Sequence, residues 1–121
     1  LTLSGDSIHQ NAAVDPILNV NILENYAKHY ASAYKTDHPL ISPLFADLKG
    51  LPPLLIHTGT SEILVDDAKR LFSSAQRAGV DAHLEIWEGL FHVFQIVAFI
   101  PETTLSLSHI SKFLLENIPS K

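Results

Sequence analysis

Two short β-rich runs separated by a single amphipathic segment constrain this chain most. Leu54-Leu55-Ile56-His57-Thr58 is a continuous apolar run that stops at Gly59. A run of this length bounded by turn residues reads as a strand buried on both faces, as in a parallel sheet. Ala82-His83-Leu84-Glu85-Ile86-Trp87 alternates in part and carries β-favouring side chains, which predicts a second strand. Between them Asp66 and Asp67 open a helix over 66–78, where their charge suits the positive end of the helix dipole. The apolar positions Ala68, Leu71, Phe72, Ala75 and Ala78 share one helical face, and Gly79 supplies the stop. Strand, helix, strand in this order is a parallel unit with a right-handed crossover, so the fold class is α/β.

The flanks add helices. Asp15-Pro16 has the form of an N-cap followed by proline at the first helical position. Ile22, Leu23, Tyr26, Ala27 and Tyr30 then fall at helical spacing, which predicts a helix over 16–34, with Tyr26 and Tyr30 packed in the core. Residues 35–52 hold Pro39, Pro43, Gly50 and Pro52 and read as an irregular connector. A last helix is predicted over 102–118, with Leu107, Ile110, Leu114 and Ile118 on one stripe. Two strands do not make a stable sheet alone. The chain also contains no Met and starts Leu1-Thr2-Leu3. Both features lead to the expectation that an upstream portion of the same polypeptide completes the fold.

Composition removes several classes of function. With Lys plus Arg at 8 against Asp plus Glu at 13, the net charge of -5 argues against a nucleic-acid surface. The absence of Cys excludes disulfides and thiolate metal sites. The seven histidines show no pair at i, i+4 on one helix, so neither a metal nor any other cofactor is expected. The longest apolar stretch, 90–100, is far short of the ~20 residues of a membrane span. No signal-peptide pattern opens the sequence, and a cytoplasmic location is expected.

In open α/β sheets, functional groups collect beyond the carboxyl ends of the strands. After the first strand come Gly59-Thr60-Ser61-Glu62-Ile63-Leu64-Val65-Asp66-Asp67, and after the second Glu88-Gly89-Leu90-Phe91-His92-Val93-Phe94. A carboxylate from one loop and an imidazole from the other would share a sheet edge, as in a carboxylate orienting a histidine base. Taken singly, Glu62 also reads as a solvated loop carboxylate and His92 as a surface or packed histidine. His57, inside the strand, reads as packed, and Phe91 and Phe94 as core side chains or an acyl-pocket lining. Ser7 and Ser61 sit in G-x-S sequences, but His9 and Ile63 occupy the place where a nucleophile elbow needs glycine. No helix pattern follows Ser7 before Asp15, so both serines are refused as nucleophiles.

Pro52-Pro53-Leu54-Leu55-Ile56, Gly59 and Glu62-Ile63-Leu64-Val65-Asp66-Asp67 resemble the acid-loop region of the hormone-sensitive-lipase-like esterases. So do Ala78-Gly79-Val80-Asp81, Leu84-Glu85-Ile86-Trp87-Glu88-Gly89 and Phe91-His92-Val93-Phe94, with Ser42-Pro43-Leu44 and Asp47-Leu48 upstream. The likeness covers nearly the whole chain. It implies the C-terminal part of an α/β-hydrolase fold: a connector and helix near the cap and acyl pocket over 1–50, and a βαβα part of the core over 51–121. It implies a carboxylic ester hydrolase in which Glu62 is the acid and His92 the base, while the serine and oxyanion hole lie upstream. The family more often has Asp where this chain has Glu62, and Asp66 is the runner-up acid, for which a structural role at the helix start is favoured. The implied partners are a small ester substrate, the upstream portion and, through an open edge strand, a second copy in a homodimer. Residues 1–121 alone are expected to be inactive. The rival readings are an inactive hydrolase-fold interaction partner, and a small α/β module binding an anion through Thr60, Ser61 and the helix N-terminus at 66.

Overall fold

The sheet consists of two parallel strands, β1 (Leu54–Gly59) and β2 (Ala82–Trp87), paired from Leu54 with Ala82 to Gly59 with Trp87. The structure is a computed structural model, and it describes residues 2–118. The remaining elements are α1 (Ser7–Gln10), α2 (Val20–Ala31), α3 (Val65–Arg77) and α4 (Pro101–Asn117), with single 3₁₀ turns at Pro43–Phe45 and Phe94–Ile96. The α/β class and the parallel pairing are as the sequence implies.

The alternation of side chains along each strand separates two faces. On one, α3 lies across both strands, and Leu54 and Ala82 pack with Leu48, Leu71, Ala75, Ala78 and Val80. This face follows from local sequence. After Ala78, Gly79 takes φ +76°, and the Gly79 and Val80 N–H groups return to the carbonyls of Gln76 and Ala75. That is the Schellman arrangement, in which a left-handed residue ends the helix and its neighbour covers the last turn.

The other face is polar, and here the sequence misleads. Of the stripe predicted to anchor α4, Leu107, Leu114 and Ile118 are exposed. The helix docks instead through Thr103, Ser106, His109 and Phe113. Ser106 Oγ lies 2.8 Å from His57 Nδ1, His109 Nδ1 lies 2.9 Å from Glu85 Oε2, and Phe113 meets the His83 ring edge-on. His57 Nε2 stands 3.1 Å from the same Glu85 oxygen, outside hydrogen-bond alignment. The strand side chains facing α4 include His57, His83, Glu85 and Trp87 beside Leu55, so polar groups on the helix are the matching partners and its leucines turn away. Burial lowers the His57 pKa, against the raising charge of Glu85, which favours the neutral ring.

Other boundaries also shift. β1 is half-buried over its first four residues and buried over its last two, with β2 its neighbouring strand among the described residues. The helix expected over 16–34 starts at Val20, where Asn19 Oδ1 accepts the Ile22 N–H at 2.9 Å. Asp15 caps only the turn before it, taking the Ile17 and Leu18 N–H groups. Tyr26 and Tyr30 are exposed, and Leu23, Ala27 and Ala31 form the inward row. Ser7 does open a helix, α1, which the spacing to Asp15 had argued against.

Gly59 closes β1 where the loop after β2 crosses it. A Cβ there would fall inside the Leu90 carbonyl group. Gly59→Ala is therefore expected to destabilise the protein by at least ~1–3 kcal/mol, the usual range for overpacking. Urea unfolding of the full-length polypeptide measures this, and a midpoint equal to wild type would refute the tight crossing.

Candidate active site

The two loops beyond the strand ends are stitched together by hydrogen bonds. The Thr60 N–H donates to the Trp87 carbonyl at 2.9 Å, and the Ser61 N–H to Leu90 at 2.9 Å. The Gly89 N–H donates to Thr60 Oγ1 at 2.8 Å. The parallel register puts Gly59 beside Trp87, so residues three and five positions further on meet at one edge.

At that edge Glu62 and His92 come together, with Oε1 3.7 Å from Nδ1. Glu62 is only 6% exposed, and its other oxygen, Oε2, accepts the Gly59 N–H at 3.2 Å. One carboxylate oxygen is thus tied to the strand end while the other faces the ring. Glu62 raises the His92 pKa above its ordinary value, as acceptor and as charge; burial opposes it, and the charge of Asp15 adds to it. At 3.7 Å the pull is that of an ion pair rather than a formed hydrogen bond, and such contacts are often loose without substrate. Nε2, the nitrogen away from the carboxylate, has no hydrogen-bond partner among the described residues, and the ring is about one-third exposed. An imidazole held on one side by a carboxylate and open on the other can take and return a proton.

The backbone around His92 is unusual. Val93 has φ +56°, a left-handed conformation that a β-branched residue rarely adopts. Holding it costs about 1–3 kcal/mol and needs surrounding contacts to enforce it. These come from the 3₁₀ turn that follows. Phe94 is buried against Trp87, and Thr103 Oγ1 lies within hydrogen-bond reach of the Phe94 and Val97 carbonyls. Phe94 is therefore a core side chain, and the more exposed Phe91 remains beside the histidine.

Asp66 is occupied elsewhere. Its Oδ2 accepts the Ser7 N–H at 2.9 Å and its Oδ1 lies 3.5 Å from Lys69 Nζ. The Ser7 contact, more than the lysine, holds its pKa below the usual carboxylate value. Ser7 is 2% exposed, donates to the Ile63 carbonyl and accepts the Asp66 N–H, so its hydroxyl is a strut. Sequence reasoning missed this N-terminal role. Asn11 Nδ2 donates to the carbonyls of Thr60 and Glu62, and Asp15 Oδ2 accepts the Ile63 N–H. No spacing rule announces contacts made across so long a stretch of chain. Among the described residues, no group of His, Asp and Glu is arranged to hold a metal, and no helix is long and apolar enough to cross a membrane.

Residues 2–96 match the family model described as the alpha/beta hydrolase fold. This chain belongs to that family. As an α/β-hydrolase chain it is 38% identical over 115 residues to an esterase of Acinetobacter venetianus, covering 93% of this chain and 38% of the relative. It is 39% identical over 94 residues to an acetyl-hydrolase of Streptomyces hygroscopicus, covering 78% and 31%. Among solved structures it matches an esterase from the bacterial hormone-sensitive lipase family with TM-score 0.92 and 41% identity, over 97% of this chain and 40% of that one. A hormone-sensitive lipase from a metagenome library superposes with TM-score 0.93 at 36% identity, with the same shares covered. The α/β-hydrolase chain thus spans between about a third and two fifths of the length of these relatives.

Proposed function

We propose that this chain is the C-terminal portion of a serine carboxylesterase, supplying the acid and the base of the catalytic triad. The meeting of Glu62 and His92 at the carboxyl edge of a parallel sheet carries this reading. The esterase and acetyl-hydrolase relatives support the reaction class. A serine outside residues 1–121 attacks the carbonyl of a short- or medium-chain ester. His92 Nε2 takes the serine proton and passes it to the departing alcohol; water, deprotonated the same way, then releases the acid. Glu62 keeps the Nδ1 proton in place and stabilises the imidazolium. Residues 1–50, including α2, border the acyl pocket, and the open edge of β2 pairs with a second copy in a cytoplasmic homodimer. The anion-binding alternative is disfavoured by Asp66 and Asp67 in the first turn of α3.

The test is hydrolysis of p-nitrophenyl acetate, butyrate and octanoate by the full-length polypeptide, together with labelling by a sulfonyl fluoride. Saturable turnover with the label on a serine outside residues 1–121 is expected, and residues 1–121 alone should be inactive. Absence of turnover, or a label on Ser7, would overturn the reading.

A further inference from the structure

A second carboxylate is buried beside the turn that carries Glu62. Asp15 is 8% exposed, and its two oxygens divide their work. Oδ1 accepts the N–H groups of Ile17 and Leu18 at 2.9 and 3.1 Å, which fixes the side chain to its own segment. Oδ2 accepts the Ile63 N–H at 3.1 Å, the peptide group next to Glu62. Asn11 and Ser7 complete the hold: Asn11 donates to the Thr60 carbonyl at 2.9 Å and the Glu62 carbonyl at 2.8 Å, and Ser7 donates to the Ile63 carbonyl at 2.8 Å. The turn from 60 to 63 therefore owes much of its shape to side chains of residues 7–15.

Hydrogen bonding alone does not require a carboxylate at this place. A neutral acceptor can satisfy a backbone N–H, as Asn19 does at the start of α2. A buried charge is expensive unless something compensates it. Asp15 has three N–H donors but forms no ion pair with Lys or Arg among the described residues. Its charge does act on the His92 ring, and in the same direction as Glu62. From the turn after β1 and from the N-terminal segment, Glu62 and Asp15 are the charged groups that act on this imidazole.

We propose that Asp15 is a positioning residue of this site, one that sets the Glu62 turn through the Ile63 amide and so holds the carboxylate that faces His92. The proposal rests on the esterase reading for its kinetic consequences. The imidazolium forms when the serine proton is taken and again when the water proton is taken. In both steps the ring gains its proton while the nucleophile oxygen forms its bond to the acyl carbon, and a second fixed anion favours that state over the neutral ring.

Asp15→Asn in the full-length polypeptide tests it. Removing the charge disfavours the protonated ring, so the acid limb of kcat/KM moves to lower pH. With it kcat falls by roughly three- to tenfold, and KM stays within about twofold. Asp15→Glu, which keeps the charge, retains the wild-type limb, and Asp15→Ser, which keeps an acceptor without it, shifts the limb as the Asn variant does. The His92 titration followed by NMR gives the same reading without turnover. A ring pKa unmoved in a folded neutral variant overturns the proposal, even where the wild type is an active esterase. If neither neutral variant folds, the charge serves folding and the proposal is equally overturned. A wild type that hydrolyses no ester sinks the functional reading instead, and leaves the NMR result to decide the role of Asp15.

Discussion

His92→Ala is expected to lower ester hydrolysis by a factor of about 10⁴–10⁶ in the full-length polypeptide, with KM nearly unchanged. Among the described residues at this edge, the ring is the group able both to accept a proton near neutral pH and to give it back. Glu62 is tied to the Gly59 amide, and Asp66 to the Ser7 amide and Lys69. Among the described residues the other imidazoles of the strands and α4 are engaged elsewhere: His57 by Ser106 and Glu85, His83 by Asp81, and His109 by Glu85. The fold should tolerate the change, since the ring is about one-third exposed and its one charged contact is Glu62. Initial rates on p-nitrophenyl butyrate, with a thermal melt to show that the variant is folded, decide the matter. Turnover within tenfold of wild type would remove His92 from the chemistry.

Glu62→Gln should reduce kcat by about 10²–10⁴, and its pH profile should move in a stated direction. The carboxylate raises the His92 pKa, so its neutral isostere lets that pKa fall and carries the acid limb of kcat/KM to lower pH. Glutamine can still turn its carbonyl oxygen to either the Gly59 N–H or the ring, but its amide group must then face the other donor. The pair therefore loses both charge and one hydrogen-bond match. Asp66→Asn is the control: its carboxylate serves the Ser7 amide, so kcat should stay within about threefold while stability drops. Parallel pH–rate profiles for the two variants distinguish the acids. A Glu62 variant at wild-type rate beside a crippled Asp66 variant would exchange their roles.

Stability carries the same sign. With a pKa raised in the folded state, His92 contributes stability that is fully present below its unfolded value of about 6.5 and is lost as pH rises through the folded one. His57 acts oppositely: buried and held below its ordinary pKa, it destabilises the fold as pH falls and the unfolded chain takes up its proton first.

What could be read from the sequence were the features with local causes. β1, α3 and β2 stand within a residue of where composition and periodicity put them, because apolar runs, the acidic first turn of α3 and the Gly79 stop act over one or two turns of chain. The edge location of Glu62 and His92 follows from parallel pairing, which is itself a consequence of having a helix between two strands. α2 and α4 fared worse for a common reason. Asp15 has the form of a helix cap, yet one of its oxygens is claimed by Ile63, far along the chain, and Asn19 caps the helix instead. The apolar stripe of α4 has helical spacing, yet the sheet face beneath it displays His57, Glu85 and Trp87, so Ser106 and His109 turn inward.

The amino-acid order alone determined the α/β class, the parallel unit and the two loops from which an acid and a base could come. Only the tertiary structure decided which carboxylate faces the imidazole, that Ser7 is a strut, and that residues 7–15 hold the turn of Glu62. Periodicity reports which face of an element is apolar. It carries no information about which distant peptide group a polar side chain will satisfy, because that is chosen by the whole packing arrangement at once.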